Sequence, residues 1–135
     1  ERLLGVLSTK ENVNLATLGF ESTDVQDIIN MWRRVALLMR YHCLPYIMRY
    51  QNKNETPWKK SEYRSLYITM ARWCNQPGFF KKKSFRQFCE ANQAHHKTEG
   101  TLCSAMKALV DFEERYPEIA KEYFDLRFDQ FELEG

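Results

Sequence analysis

Apolar residues between Tyr63 and Cys74 recur at helical spacing, and this stretch limits the fold of the chain more than any other. At about 100° per residue, the apolar side chains share one arc of roughly 120°: Tyr63, Leu66, Tyr67, Met70, Trp73 and Cys74. The opposite side of the same helix carries basic residues: Lys60, Arg64 and Arg72. Thr56 and Pro57 suit the N-cap and the first position of a helix, so the pattern predicts a helix from Trp58 to about Cys74.

A second helix is predicted where apolar residues recur at helical spacing from Val25 to Met39. Around Val35 the apolar residues occupy all sides of this helix. A helix that is apolar all round is buried, so we expect it to run through the centre of the core. Pro45 lacks a backbone donor and should end or kink this helix.

Three shorter helices complete the predicted set. Ser84 is expected to cap one, a further helix is expected to open at Thr101, and Pro117 fits the first turn of the last. No stretch alternates with period two, and the hairpin dipeptides Asn-Gly and Asp-Gly are absent. The sequence therefore predicts an all-α fold: a single compact domain of five to seven helices around a long central buried helix, with no sheet. Residues 1–20 are expected to form an arm or a short helix packed on that body.

The length and composition fit one folded domain. The chain has 135 residues, of which 44% are hydrophobic and 28% charged, and a chain of this size supports one core. No run approaches the roughly 18 apolar residues of a membrane span, and no signal-peptide pattern is present. We therefore expect an intracellular protein, nuclear or cytoplasmic, with reduced cysteines. Because the chain begins with Glu1 rather than Met, we expect it to be a domain of a larger protein.

Charge is strongly segregated along the chain, although the net charge is only +2. Residues 1–25 carry a net charge of −2, residues 26–86 carry +10, and residues 87–135 carry −6. Lysine and arginine side chains neutralise phosphates and release counterions, which gives affinity without sequence preference. The middle segment therefore predicts a surface for nucleic acid, DNA or RNA, or for another polyanion.

Eight basic residues form the predicted contact surface: Lys59, Lys60, Arg64, Arg72, Lys81, Lys82, Lys83 and Arg86. The lysine run precedes a predicted helix start, where mobile positive charge adjoins free backbone N–H groups. Aromatic rings beside these charges are candidates for stacking on bases: Trp58, Phe79 and Phe80.

A second hypothesis gives the same charges a different partner. The basic middle segment and the acidic residues 87–135 could attract each other within the fold and mask the predicted surface. The domain would then be a protein–protein interaction or oligomerisation module, docking an acidic protein surface or a second copy of itself. The sequence leaves both hypotheses open.

Patterns for catalysis and for bound metal are weak or absent. The chain has no Gly-rich phosphate loop, no nucleophile elbow and no HExxH, so we expect no enzymatic activity, no cofactor and no small-molecule substrate. The stretch Phe88–Cys103 holds two cysteines and two histidines, but their spacing differs from that of paired zinc ligands. It is predicted instead to be a helix end with His95 and His96, a loop, and the start of the next helix with Cys103 early in it.

Overall fold

Amphipathic helices account for most of the described chain, as the apolar spacing predicts. The computed structural model describes residues 25–47 and 62–131. These residues form six α-helices: α1 Val25–Arg40, α2 Arg64–Cys74, α3 Pro77–Phe80, α4 Phe85–Ala94, α5 Ser104–Arg115 and α6 Pro117–Tyr123. A 3₁₀ helix, Phe128–Gln130, follows α6, and neither described range contains a strand. The predicted all-α fold is confirmed, while the predicted arm in residues 1–20 lies outside the described residues.

Helix α1 contributes the buried Trp32 to the core, and aromatic rings from three other parts of the chain pack on this side chain. The fully buried Trp32 ring has its centroid 5.8 Å from that of Trp73 in α2 and 5.2 Å from that of Phe85 in α4. Phe124, which directly follows α6, lies at 5.3 Å. One aromatic side chain therefore joins three other parts of the chain to α1. Helix α1 is long and contributes seven buried side chains to the core, but Arg33, Arg34 and Arg40 are exposed, so it is amphipathic rather than apolar on all sides.

Helices α1 and α2 each differ from the sequence prediction at one end. Helix α2 begins at Arg64 rather than at Trp58, because Glu62 and Tyr63 form a turn. The predicted start at residues 56–57 lies outside the described residues. Helix α1 already ends at Arg40, before Pro45 is reached. His42 adopts a left-handed φ of 57°, a conformation that terminates helices.

The start of α5 also differs from the prediction, and Gln93 of α4 supplies the physical reason. Gln93 donates from Nε2 to the Thr101 carbonyl at 3.0 Å and accepts from the Cys103 N–H at 2.8 Å. These contacts hold the chain in a loop, and α5 begins only at Ser104. Cys103 is consequently the N-cap, where its sulfur accepts from the Met106 N–H at 3.4 Å.

Two predicted helix starts are confirmed. Ser84 caps α4 in a reciprocal arrangement: its Oγ accepts from the Gln87 N–H at 3.1 Å, and the Gln87 side chain accepts from the Ser84 N–H at 2.9 Å. Pro117 is the first residue of α6. Within the ranges that the structure describes, no helix combines the length and the apolar character that a membrane crossing requires.

Candidate nucleic-acid interface

The predicted contact residues fall into three groups. Trp58, Lys59 and Lys60 lie outside the described residues. Arg64 is the first residue of α2 and is half-buried. The others lie in the last turn of α2 or around the turn that joins α3 to α4: Arg72, Phe79, Phe80, Lys81, Lys82, Lys83 and Arg86.

The turn between α3 and α4 has a fixed backbone and outward lysine side chains. The buried Trp73 donates from Nε1 to the Lys83 carbonyl at 2.9 Å, which attaches the turn to the core. Arg127 donates from Nη2 to the Lys82 carbonyl, also at 2.9 Å. Lys81 and Lys82 are exposed. Their ammonium groups therefore face solvent from a well-held position.

An exposed aromatic ring lies beside these lysines. Phe79 keeps 38% of its surface exposed, and the Lys83 Nζ lies 5.9 Å from its ring centroid. The Phe79 ring packs on Phe88 with centroids 5.3 Å apart, and the Arg72 guanidinium carbon lies 5.7 Å from the Phe88 centroid. Both cation distances are within the range of cation–π contacts. We call this continuous area the α3–α4 surface: Arg72, Phe79, Lys81, Lys82 and Lys83.

Phe80 and Arg86 are engaged elsewhere, and we leave them out of the α3–α4 surface. Phe80 is fully buried, with its ring centroid 4.7 Å from that of Trp73, so it has no free face for a base. Arg86 donates to both carboxylate oxygens of Glu113, at 3.1 and 2.5 Å, and to Asp125 Oδ1 at 2.8 Å. Its guanidinium is thereby committed to two carboxylates of the fold.

Arg86 is a point at which the basic and acidic segments of the sequence meet. Hydrogen bonds from its guanidinium hold the pKa of Glu113 below the ordinary value of a glutamate. Hydrogen bonds to Glu113 and Asp125 in turn raise the pKa of Arg86. No ion pair between described residues joins Lys81, Lys82 or Lys83 to a carboxylate. In the described part of the chain, the acidic segment thus neutralises Arg86 and leaves the three lysines charged.

The cysteines and histidines of the stretch Phe88–Cys103 are not arranged as a set of metal ligands in the described part of the chain. Cys89 is buried, and burial raises the pKa of its thiol to about 12, so the sulfur retains its proton. His95 is the C-cap of α4, whereas His96 Nε2 lies 3.0 Å from Thr101 Oγ1. Across residues 25–47 and 62–131, no group of three or more His, Cys, Asp or Glu side chains is placed to hold a metal ion.

Asn92 and Phe88 belong to the candidate site but are not among the residues predicted from the sequence. Asn92 Oδ1 accepts from Arg72 Nη2 at 3.2 Å, while its Nδ2 donates to the Phe88 carbonyl at 2.8 Å. Asn92 therefore positions the Arg72 guanidinium on the Phe88 ring. The four-residue spacing of Phe88 and Asn92 places both on one side of α4, which is the only signal that the sequence contains. That this side meets Arg72 depends on how α4 packs against α2.

Comparisons with known proteins assign no family to the chain. No protein-family model, no curated protein and no solved structure matches it. The functional argument therefore depends on the geometry of the α3–α4 surface and on its charges.

Proposed function

We propose that the protein binds nucleic acid, single strands in particular, through the α3–α4 surface. The observation that carries this proposal is the exposed Phe79 ring with the Lys83 ammonium group beside it and the exposed Lys81 and Lys82 in the same turn. Cations that follow a phosphate backbone, together with a ring on which a base stacks, are the common elements of single-strand binding. A stacking ring favours unpaired bases, because a base within a duplex already has both faces covered.

The charges of the α3–α4 surface set the expected salt dependence. Its four cations, Arg72 and Lys81–Lys83, can neutralise about four phosphates. A single strand then gives a slope of log affinity against log salt of about −0.7 per phosphate, or roughly −2.8 in all. Affinity should consequently fall by about 50-fold between 50 and 200 mM salt. Stacking of one base on Phe79 should add about 1–3 kcal/mol that salt affects little.

The test is a titration of a fluorescein-labelled 20-nucleotide strand, and of the same sequence as a duplex, followed by anisotropy at several salt concentrations. The double variant Lys81→Glu/Lys82→Glu should bind at least ten-fold more weakly at 50 mM salt. Its salt slope should be shallower by about 1.4, because two phosphate contacts are lost. Both side chains are exposed, so the fold should be unaffected.

A matched control is available in the acidic half of the chain. Lys107→Glu/Lys121→Glu makes the same change of net charge at two exposed lysines of α5 and α6, and it should leave the salt slope unchanged. Phe79→Ala should weaken binding of the strand by at least five-fold with no change of slope, whereas Tyr41→Ala removes another exposed aromatic ring and should have no effect. Absence of binding to strand and duplex at 50 mM salt would refute the proposal. Equal losses in the two lysine double variants would refute the assignment to the α3–α4 surface.

A further inference from the structure

A groove of about 390 Å³ adjoins the α3–α4 surface. It lies between the end of α2, the end of α4 with the loop that follows, and the start of α5. Arg72 and Lys97 are cationic residues of its lining, and none of its lining residues is acidic. The polar lining residues also include Asn92, His95, His96 and Ser104. The groove has the volume of a site for a small ligand, and its charges favour an anion.

Hydrogen bonds hold the groove in shape without a ligand. Gln93 contacts the loop backbone at Thr101 and again at Cys103, through the two bonds that delay the start of α5. Asn92 holds the Arg72 guanidinium at the opposite wall. Because these groups are already fixed, a ligand would lose little free energy to ordering them.

One ring nitrogen of His96 is engaged with the loop. Thr101 Oγ1 donates to the Thr98 carbonyl at 3.0 Å, and His96 Nε2 lies 3.0 Å from the same oxygen. Arg72 and Lys97 supply the cationic side-chain donors of the groove. The backbone N–H groups of Ser104 and Ala105 open α5, and the first N–H groups of a helix have no partner within it.

We propose that this groove binds a phosphomonoester, the dianionic phosphate at the end of a nucleic acid strand or on a free nucleotide. A guanidinium, an ammonium group and backbone N–H groups around a space without carboxylates match a terminal phosphate with its three acceptor oxygens. Arg72 belongs both to the groove and to the α3–α4 surface, so a strand that follows the surface can place its end in the groove. The strand-end source depends on the proposed function, whereas the free-nucleotide source does not.

The test compares a 12-nucleotide strand with a 5′-phosphate, with a 3′-phosphate, or with hydroxyl groups at both ends, and it compares adenosine monophosphate with adenosine. The strand with the preferred terminal phosphate should bind about ten-fold more tightly than the hydroxyl strand, since charge-assisted hydrogen bonds to one phosphate are added. In ¹H–¹⁵N spectra, inorganic phosphate and adenosine monophosphate should shift the amide signals of Lys97, Thr98, Ser104 and Ala105. Adenosine should not shift them.

The variant His95→Gln/Lys97→Gln tests the groove separately from the surface, because neither residue belongs to the α3–α4 surface and both are exposed. It should abolish the ten-fold advantage of the terminal phosphate while preserving binding of the hydroxyl strand. The control Lys107→Gln/Lys121→Gln should retain the advantage. If the advantage survives in His95→Gln/Lys97→Gln, the phosphate binds elsewhere and the inference is wrong.

The outcomes separate this inference from the proposed function. Shifts at the groove with small phosphates, but no binding of any strand, would support a free nucleotide as the ligand and refute nucleic-acid binding. Tight binding of all strands regardless of their ends, without shifts from small phosphates, would overturn the groove inference and leave the proposed function intact. A terminal-phosphate advantage that is lost in His95→Gln/Lys97→Gln would support the strand end as the source.

Discussion

Replacing Arg86 by methionine tests the division of the basic residues into a paired group and a solvent-facing group. Methionine keeps much of the side-chain volume and removes the guanidinium that bonds Glu113 and Asp125. The Arg86 side chain is 26% exposed and that of Glu113 is 36% exposed, so the pair lies between the surface and the interior. We therefore expect R86M to lower the free energy of unfolding while leaving the salt slope of nucleic-acid binding unchanged.

The magnitude follows from the position of the pair. Exposed ion pairs contribute about 0–1 kcal/mol, and removing one partner of a fully buried pair costs about 3–5 kcal/mol. A half-exposed pair with two parallel bonds to one carboxylate and a third bond to Asp125 should cost about 2 kcal/mol. For a chain of this size, that lowers the melting temperature by about 7 °C.

The assay is urea unfolding followed by circular dichroism, with Arg115→Met as the control. Arg115 donates to Glu62 at 2.7 Å, but both side chains are about half exposed, so its removal should cost clearly less stability than that of Arg86. A double-mutant cycle of Arg86→Met with Glu113→Gln should return a coupling free energy of about 1–2 kcal/mol. A coupling near zero, or an R86M loss no larger than that of R115M, would show that the ion pair does not stabilise the fold.

The same variant makes a prediction about pH. The pKa of Glu113 is lower in the folded protein than the 4.5 of an unperturbed glutamate, so the unfolded chain takes up a proton before the folded one does. The stabilisation is therefore fully present above pH 4.5 and is lost as the pH falls through the lowered pKa of folded Glu113. Wild type and R86M should differ by a constant free energy of unfolding at neutral pH and converge in acid. A difference that stays constant down to pH 3 would exclude Glu113 as the source.

Two further predictions concern the core and the helix caps. Trp32→Ala should lower the free energy of unfolding by about 3–5 kcal/mol in urea titrations. Trp32→Phe should cost clearly less, because it keeps an aromatic ring in the core, while both changes remove a buried indole N–H for which the structure shows no acceptor. Ser84→Ala should lower stability by about 1 kcal/mol through loss of the α4 cap. Cys103→Ser should raise stability by about 0.5 kcal/mol, because a hydroxyl oxygen is a better N-cap acceptor than the cysteine sulfur. Thermal unfolding should show a lower melting temperature for Ser84→Ala and a higher one for Cys103→Ser.

Local patterns in the sequence predicted which side of each helix faces inward. Helix boundaries that depend on contacts between residues distant in the sequence could not be predicted in this way. The apolar arc from Tyr63 to Cys74 is buried as predicted, because periodicity depends only on the geometry of one helix. The start of α5 could not be predicted in the same way. Thr101 is an acceptable N-cap, but the side chain of Gln93 binds the backbone there and displaces the helix start to Ser104. That competition involves residues eight or more positions apart and has no short-range signal.

The candidate site shows the same limit. The sequence placed Arg72, Phe79 and Lys83 among its contact residues from their types and from charge segregation alone. Their joining into one surface depends on the packing of Phe88 between Arg72 and Phe79. No pattern along the chain relates α2 to the turn before α4, since that proximity arises from the packing of α2 against α3 and α4.

The different positions of Arg86 and of the lysines next to it explain how the basic segment can both stabilise the fold and present cations to a polyanion. Arg86 lies in the first turn of α4, where the helix dipole disfavours a cation, so carboxylates of α5 and of the turn after α6 offset an unfavourable position. The planar guanidinium forms two parallel hydrogen bonds with the Glu113 carboxylate, so Arg86 packs against the fold instead of extending into solvent. Lys81 and Lys82 precede the helix on the outside of a turn, and an ammonium group is strongly hydrated, so these side chains stay in water. Among the described residues, ion pairs between the two segments thus involve Arg86 and Arg115, and the lysines beside Arg86 remain the candidates for phosphate contact.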